Sequence, residues 1–149
     1  MAESKYSLLL RLAGEKLDAA AERMRRAQAQ HNGAESKQRQ LHEFLSEYQS
    51  RLKNGGVRGM GIDQWRDFQH FLRRLQEAVE IQQGEVERCL QRFLLERQAW
   101  QNERRQLKAY EKLMERERER ESRAEAKRAQ KMTDEFASRR FWDQSQGEE

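Results

Sequence analysis

Few residues in this chain have the type and spacing that chemistry requires. Gly56 and Gly61 have the GxxxxG spacing of a phosphate-binding loop. Such a loop also needs Lys-Ser/Thr next and a strand before it; Ile62-Asp63 stand there instead, so the segment reads as an inter-helix turn. The three histidines (His31, His42, His70) sit at no metal-ligand spacing, and the single cysteine, Cys89, falls on an apolar stripe. A Ser/His/Asp set or a carboxylate pair works only when a pocket desolvates it. The elements described next offer no pocket. The expectation is therefore no enzyme, no cofactor, no metal and no small-molecule substrate.

Those elements follow from a seven-residue repeat. Trp65, Leu72, Val79, Val86, Phe93, Trp100, Leu107 and Met114 form an unbroken apolar stripe. Three residues on, a weaker stripe runs Phe68, Leu75, Gln82, Cys89, Glu96, Glu103, Tyr110. These are the a and d positions of a helix that supercoils against a partner. The partner lies upstream: Leu10, Leu17, Met24, His31, Gln38, Leu45 and Leu52 at a, with Tyr6, Ala13, Ala20, Ala27, Ala34, Leu41 and Tyr48 at d. Glycines cluster only between the two segments, over residues 54–61, where the chain can turn back.

A register in which paired residue numbers total 113 sets Tyr48 opposite Trp65, Ala34 opposite Val79, Ala20 opposite Phe93 and Ala13 opposite Trp100. Large residues then meet alanines, as a void-free seam requires. One layer, His31 with Gln82, pairs polar with polar and would fix register at some cost in stability. The predicted fold is all-α: a long two-helix antiparallel coiled-coil hairpin with an overhanging C-terminal helix. Helix one is expected over about 4–53 with Ser4 as its cap, a turn over 54–61, and helix two over about 62–141 with Asp63 as its cap, overhanging from about 109. Gly33 falls outside the seam and marks a soft spot or bend.

Composition agrees. Mean hydropathy is −1.23 and 38% of residues are charged, so a thin helical seam is favoured over a compact core. Proline is absent, and only six residues are β-branched, which argues against sheet. One cysteine allows no intrachain disulfide and suits a cytosolic setting. Leu8-Leu9-Leu10 is too short for a signal peptide or a spanning helix. The net charge of +4 is small against thirty basic and twenty-six acidic residues, which describes a solvated face.

Two features exceed what a seam needs. Phe44 and Phe71 both occupy g positions, which lie on one side of an antiparallel pair. With Leu41, Tyr48, Leu75 and Ala78 they make an apolar patch near the turn, either a widened core or a docking surface. The second feature is the tail. Its basic residues Arg123, Lys127, Arg128, Lys131, Arg139 and Arg140 could meet nucleic acid or anionic lipid, although Glu125, Asp134 and Glu135 interrupt them. Phe136, Phe141 and Trp142 there lack a seam partner.

The run Gly61-Ile-Asp-Gln-Trp65-Arg-Asp-Phe68-Gln-His-Phe71-Leu-Arg-Arg-Leu75-Gln-Glu-Ala78 after a Gly-rich turn resembles the flagellar export protein FliJ family. The run Gln130-Lys-Met-Thr-Asp-Glu-Phe136-Ala and the spacing of Leu9 to Leu17 are similar too. The resemblance implies a soluble component of the flagellar type III export apparatus, an antiparallel two-helix coiled coil like the stalk subunit of rotary ATPases. It implies binding to the export ATPase hexamer, to the membrane export-gate protein FlhA and to export chaperones, at the cytoplasmic face of the inner membrane. The gate-binding positions it implies are Leu41, Phe44, Tyr48, Phe71, Leu75 and Ala78. The ATPase-facing helix end it implies is Lys131, Asp134, Glu135, Phe136, Arg139 and Arg140. Gln82, where the family often has histidine, and Lys37, where it has glutamine, depart from the pattern. The equivalent stalk of a virulence secretion system, a nucleic-acid-binding coiled coil and a self-associating structural coiled coil stay open as alternatives. The isolated protein is expected to be monomeric.

Overall fold

The computed structural model describes residues 5–54, 59 and 61–147. It holds two long helices, α1 (Ser7–Lys53) and α2 (Ile62–Gly147), and no strand among the described residues. Every a and d position read from the sequence between residues 6 and 114 is buried or half-buried. The helices form because that stripe recurs without a proline to interrupt it. They pack as an antiparallel hairpin: contacts climb α1 as they descend α2, from Arg23 with Glu96 to Ala34 with Gln82 and Tyr48 with Phe68.

Two compact units divide the chain, one of Lys16–Arg104 and one of Met1–Glu15 with Arg105–Glu149. In the first, Ala20, Ala27, Ala34, Leu72, Val79 and Gln82 are buried. Contacts fall three to six residues further along α2 than the expected register pairs. The Tyr48 ring meets Phe68 and Phe71, and the Ala34 carbonyl accepts from Gln82. Side chains on a helix lean toward its own N-terminus. In an antiparallel pair both tips therefore meet residues C-terminal to those directly opposite, which gives the offset its sign.

The polar layer differs from expectation. His31 and Gln82 do not pair with each other. Gln82 Nε2 donates to the Ala34 carbonyl oxygen at 3.0 Å, and His31 Nε2 lies 3.0 Å from Glu35 Oε1 on its own helix. A glutamine reaches a backbone carbonyl across the seam more easily than it reaches a ring drawn away by a neighbouring carboxylate. The charged d position Glu96 is neutralised by two arginines, Arg23 Nε at 3.2 Å and Arg92 Nε at 3.3 Å.

In the second unit Ala13 is buried, and Tyr6, Leu10, Leu107, Tyr110 and Met114 are half-buried. Packing reaches Glu117, whose Oε2 lies 3.7 Å from Lys5 Nζ. Beyond Ala124 every described residue is exposed. The helix nevertheless continues through Glu115–Glu121 as far as Gly147, the last described residue.

Asp63 is not the cap of α2. Gly61 holds that place, since Trp65 N donates to Gly61 O at 3.0 Å. Asp63 instead lies in the first turn, where its charge favours the positive end of the helix dipole. Ser4 and most of the turn lie outside the described residues; Gly59 there has φ +89°, a conformation glycine adopts without penalty. Gly33 does not break α1. Among the described residues no helix is long and apolar enough to cross a membrane.

Candidate functional site

The residues singled out for chemistry are not brought together. Gly56 lies outside the described residues, and Gly61 is exposed at the start of α2. His42 and His70 are exposed, whereas His31 is half-buried against Glu35. Among the described residues no group of three or more His, Cys, Asp or Glu is placed to hold a metal. Cys89 sits half-buried in the seam, its thiol donating to Glu85 Oε1 at 3.7 Å. Burial pushes this thiol above its ordinary pKa, and the Glu85 carboxylate adds to the effect by charge and by hydrogen bonding. Glu85 itself is held low by the Arg88 guanidinium, whose Nη2 lies 2.7 Å from Glu85 Oε2.

The aromatic patch is built around Tyr48. Its ring meets Phe71 edge-on at 4.9 Å between centroids and Phe68 at 6.2 Å. Arg51 Cζ lies 5.4 Å from the same ring. Helical spacing puts Phe44 between Leu41 and Tyr48 on α1, and Phe71 beside Leu75 and Ala78 on α2. Leu41, Tyr48, Leu75 and Ala78 are half-buried, while Phe44 and Phe71 keep 52% and 44% of their surface in solvent. Leu72, one residue from Phe71, keeps 7%. The patch is therefore an apolar floor with two proud aromatic rings, not a closed core.

Lys131, Asp134, Glu135, Phe136, Arg139 and Arg140 are all exposed on the last turns of α2. Arg140 Cζ stacks 5.6 Å from the Phe136 ring, and Gln130 Nε2 donates to Asp134 Oδ1 at 3.2 Å. This is a bare helix surface that offers both charge signs and an aromatic. The structure also exposes Leu8, Leu9, Leu12, Ile81 and Leu95, which sequence reasoning passed over. Heptad positions flanking a and d would have flagged Leu9 at g and Ile81 and Leu95 at c.

Residues 2–146 match the family model described as Flagellar FliJ protein. The chain belongs to the FliJ family. Among curated proteins, the Flagellar FliJ protein of Salmonella typhi is 28% identical over 106 residues, covering 71% of this chain and 72% of that protein. The Flagellar FliJ protein of Escherichia coli (strain K12) is 27% identical over the same length and shares. The FliJ family match embraces both units, and so includes both the aromatic patch and the exposed end of α2.

Proposed function

We propose that this FliJ-family chain is a stalk-like component of the flagellar type III protein export apparatus. It links the export ATPase hexamer to the membrane export-gate protein FlhA and assists export chaperones, at the cytoplasmic face of the inner membrane. Family membership across residues 2–146 is the observation that carries this reading. The two relatives, both flagellar FliJ proteins, favour a flagellar system over a virulence one. The exposed aromatic pair supports the gate contact, because half-exposed phenylalanines on otherwise charged helices are the anchors that interfaces use. The exposed end of α2 supports the ATPase contact, since a ring interior suits polar, adaptable side chains on a stiff helix. The chain's role is binding, not catalysis.

Phe71→Ala against Leu72→Ala is the test. Phe71→Ala is expected to leave the circular-dichroism melt nearly unchanged yet abolish capture of FlhA, while ATPase capture survives. A central interface aromatic is worth about 2 kcal/mol or more. Leu72→Ala is expected to cost about 2–5 kcal/mol of folding stability. A Phe71→Ala protein that melts as early as Leu72→Ala would make the patch core. One that stays folded and still binds FlhA would place the gate contact elsewhere.

A further inference from the structure

In the unit made of Met1–Glu15 and Arg105–Glu149, α2 distributes its charge unevenly about its axis. At about 100° per residue, Lys112, Arg116, Arg120, Arg123, Lys127 and Lys131 all fall within an arc of roughly 100°. All six are exposed, and none is ion-paired among the described residues. Four of them line one shallow hollow with Glu119 and Ala124. Glu121 and Glu125 lie on the opposite side of the helix. Only Glu119, at the edge, and Asp134, beyond Lys131 and bonded by Gln130, bring negative charge to the stripe. Past Asp134 the same arc reaches Phe141, with Trp142 at its margin, 71% and 65% exposed.

This arrangement gains the helix little, because opposite charges such as Arg116 with Glu119 and like charges along the stripe largely cancel. Along the stripe, neighbours at i,i+4 are like charges: Lys112 with Arg116, Arg116 with Arg120, Arg123 with Lys127, and Lys127 with Lys131. Such pairs repel and destabilise an isolated helix. A polyanion removes that repulsion. We infer that this face of α2 docks on an anionic phospholipid surface. A straight stripe of six cations, roughly 28 Å long, meets a plane with all of its charges at once. The phosphate rows of a duplex wind away from such a line. Phe141 and Trp142 at the end of the stripe suit the headgroup boundary, where aromatic rings concentrate. The inference adds a lipid contact to the inner-membrane location proposed above, and the stripe's arc shares Lys131 and Asp134 with the proposed ATPase-facing end.

Vesicle co-sedimentation of the full chain tests it, with phosphatidylcholine vesicles that contain or lack phosphatidylglycerol. Binding is expected only with phosphatidylglycerol and is expected to fade at high salt. The triple variant Arg116→Gln, Arg120→Gln, Arg123→Gln should lose roughly tenfold or more in affinity, since each cation near the surface contributes separately. The triple variant Arg118→Gln, Arg128→Gln, Arg139→Gln removes the same charge off the stripe and should stay within about twofold of the parent chain. Because all six replaced residues are exposed, circular dichroism should show every variant folded. No binding to the anionic vesicles, or equal losses in the two triple variants, would overturn the inference. Tighter binding to a short DNA duplex than to the vesicles, lost in the same stripe variant, would overturn it in favour of nucleic acid.

Discussion

Single side chains in the seam carry consequences that their heptad letters do not announce. Cys89 is held as the neutral thiol by burial and by the Glu85 carboxylate. Only the thiolate attacks an alkylating reagent. At mildly alkaline pH, Cys89 is expected to react with iodoacetamide more slowly than a free thiol, with its rate profile displaced upward in pH. Glu85→Gln removes the negative charge and should move that profile back down; an unchanged profile would leave burial as the sole cause. Glu103 presents a different cost. Its Oε2 is buried with no hydrogen-bond partner among the described residues. An unsatisfied buried oxygen costs about 1–3 kcal/mol. Glu103→Leu, which restores an apolar d position, should raise the melting temperature, and a lowered one would show that Glu103 holds a partner in solution.

At the scale of the helices, the seam was legible because a seven-residue repeat has one physical meaning. Trp65 to Met114 and Leu10 to Leu52 turn inward where the repeat puts them, and the alanines at Ala13, Ala20, Ala27 and Ala34 are the most deeply buried residues of α1. Ala20 retains 0% exposure. Ala20→Leu is therefore expected to overpack the seam and lower stability by roughly 1–3 kcal/mol in a urea titration. Gly33 points the other way: a Cβ there meets nothing within 4 Å. Gly33→Ala should raise helix stability by up to about 1 kcal/mol. What the sequence did not disclose was local partnering. Capping chemistry pointed to Asp63, but the first intrahelical bond already runs from Trp65 N to Gly61 O. Side-chain type paired His31 with Gln82, but reach and a nearby carboxylate decided otherwise. The aromatic patch was legible from Phe44 and Phe71 at g. That Tyr48 would be its hub was not, because ring contacts depend on lean as well as register.

At the scale of the molecule, the question a coiled coil raises is whether its two strands come from one chain. Identical seams arise when a hairpin opens and two copies exchange helices, since the same a and d residues then meet between chains. Residues 54–61, between the two helices, are rich in glycine. Within the unit Lys16–Arg104, Arg23 Nε lies 3.2 Å from Glu96 Oε2, and both residues are accessible from solvent at least in part. Replacing them as Arg23→Cys and Glu96→Cys, with Cys89→Ser to remove the native thiol, places two reactive sulfurs across the seam. A short bismaleimide is expected to join them within one chain, giving a product of monomer mass whose yield does not change as protein is diluted. Closing a loop of that length compacts the denatured chain, so the product should also run ahead of the unmodified protein on a denaturing gel. A covalent dimer that grows with concentration would mean that two copies share the seam. Failure to crosslink at any concentration would mean that Arg23 and Glu96 are not neighbours, and with them the hairpin pairing would fall.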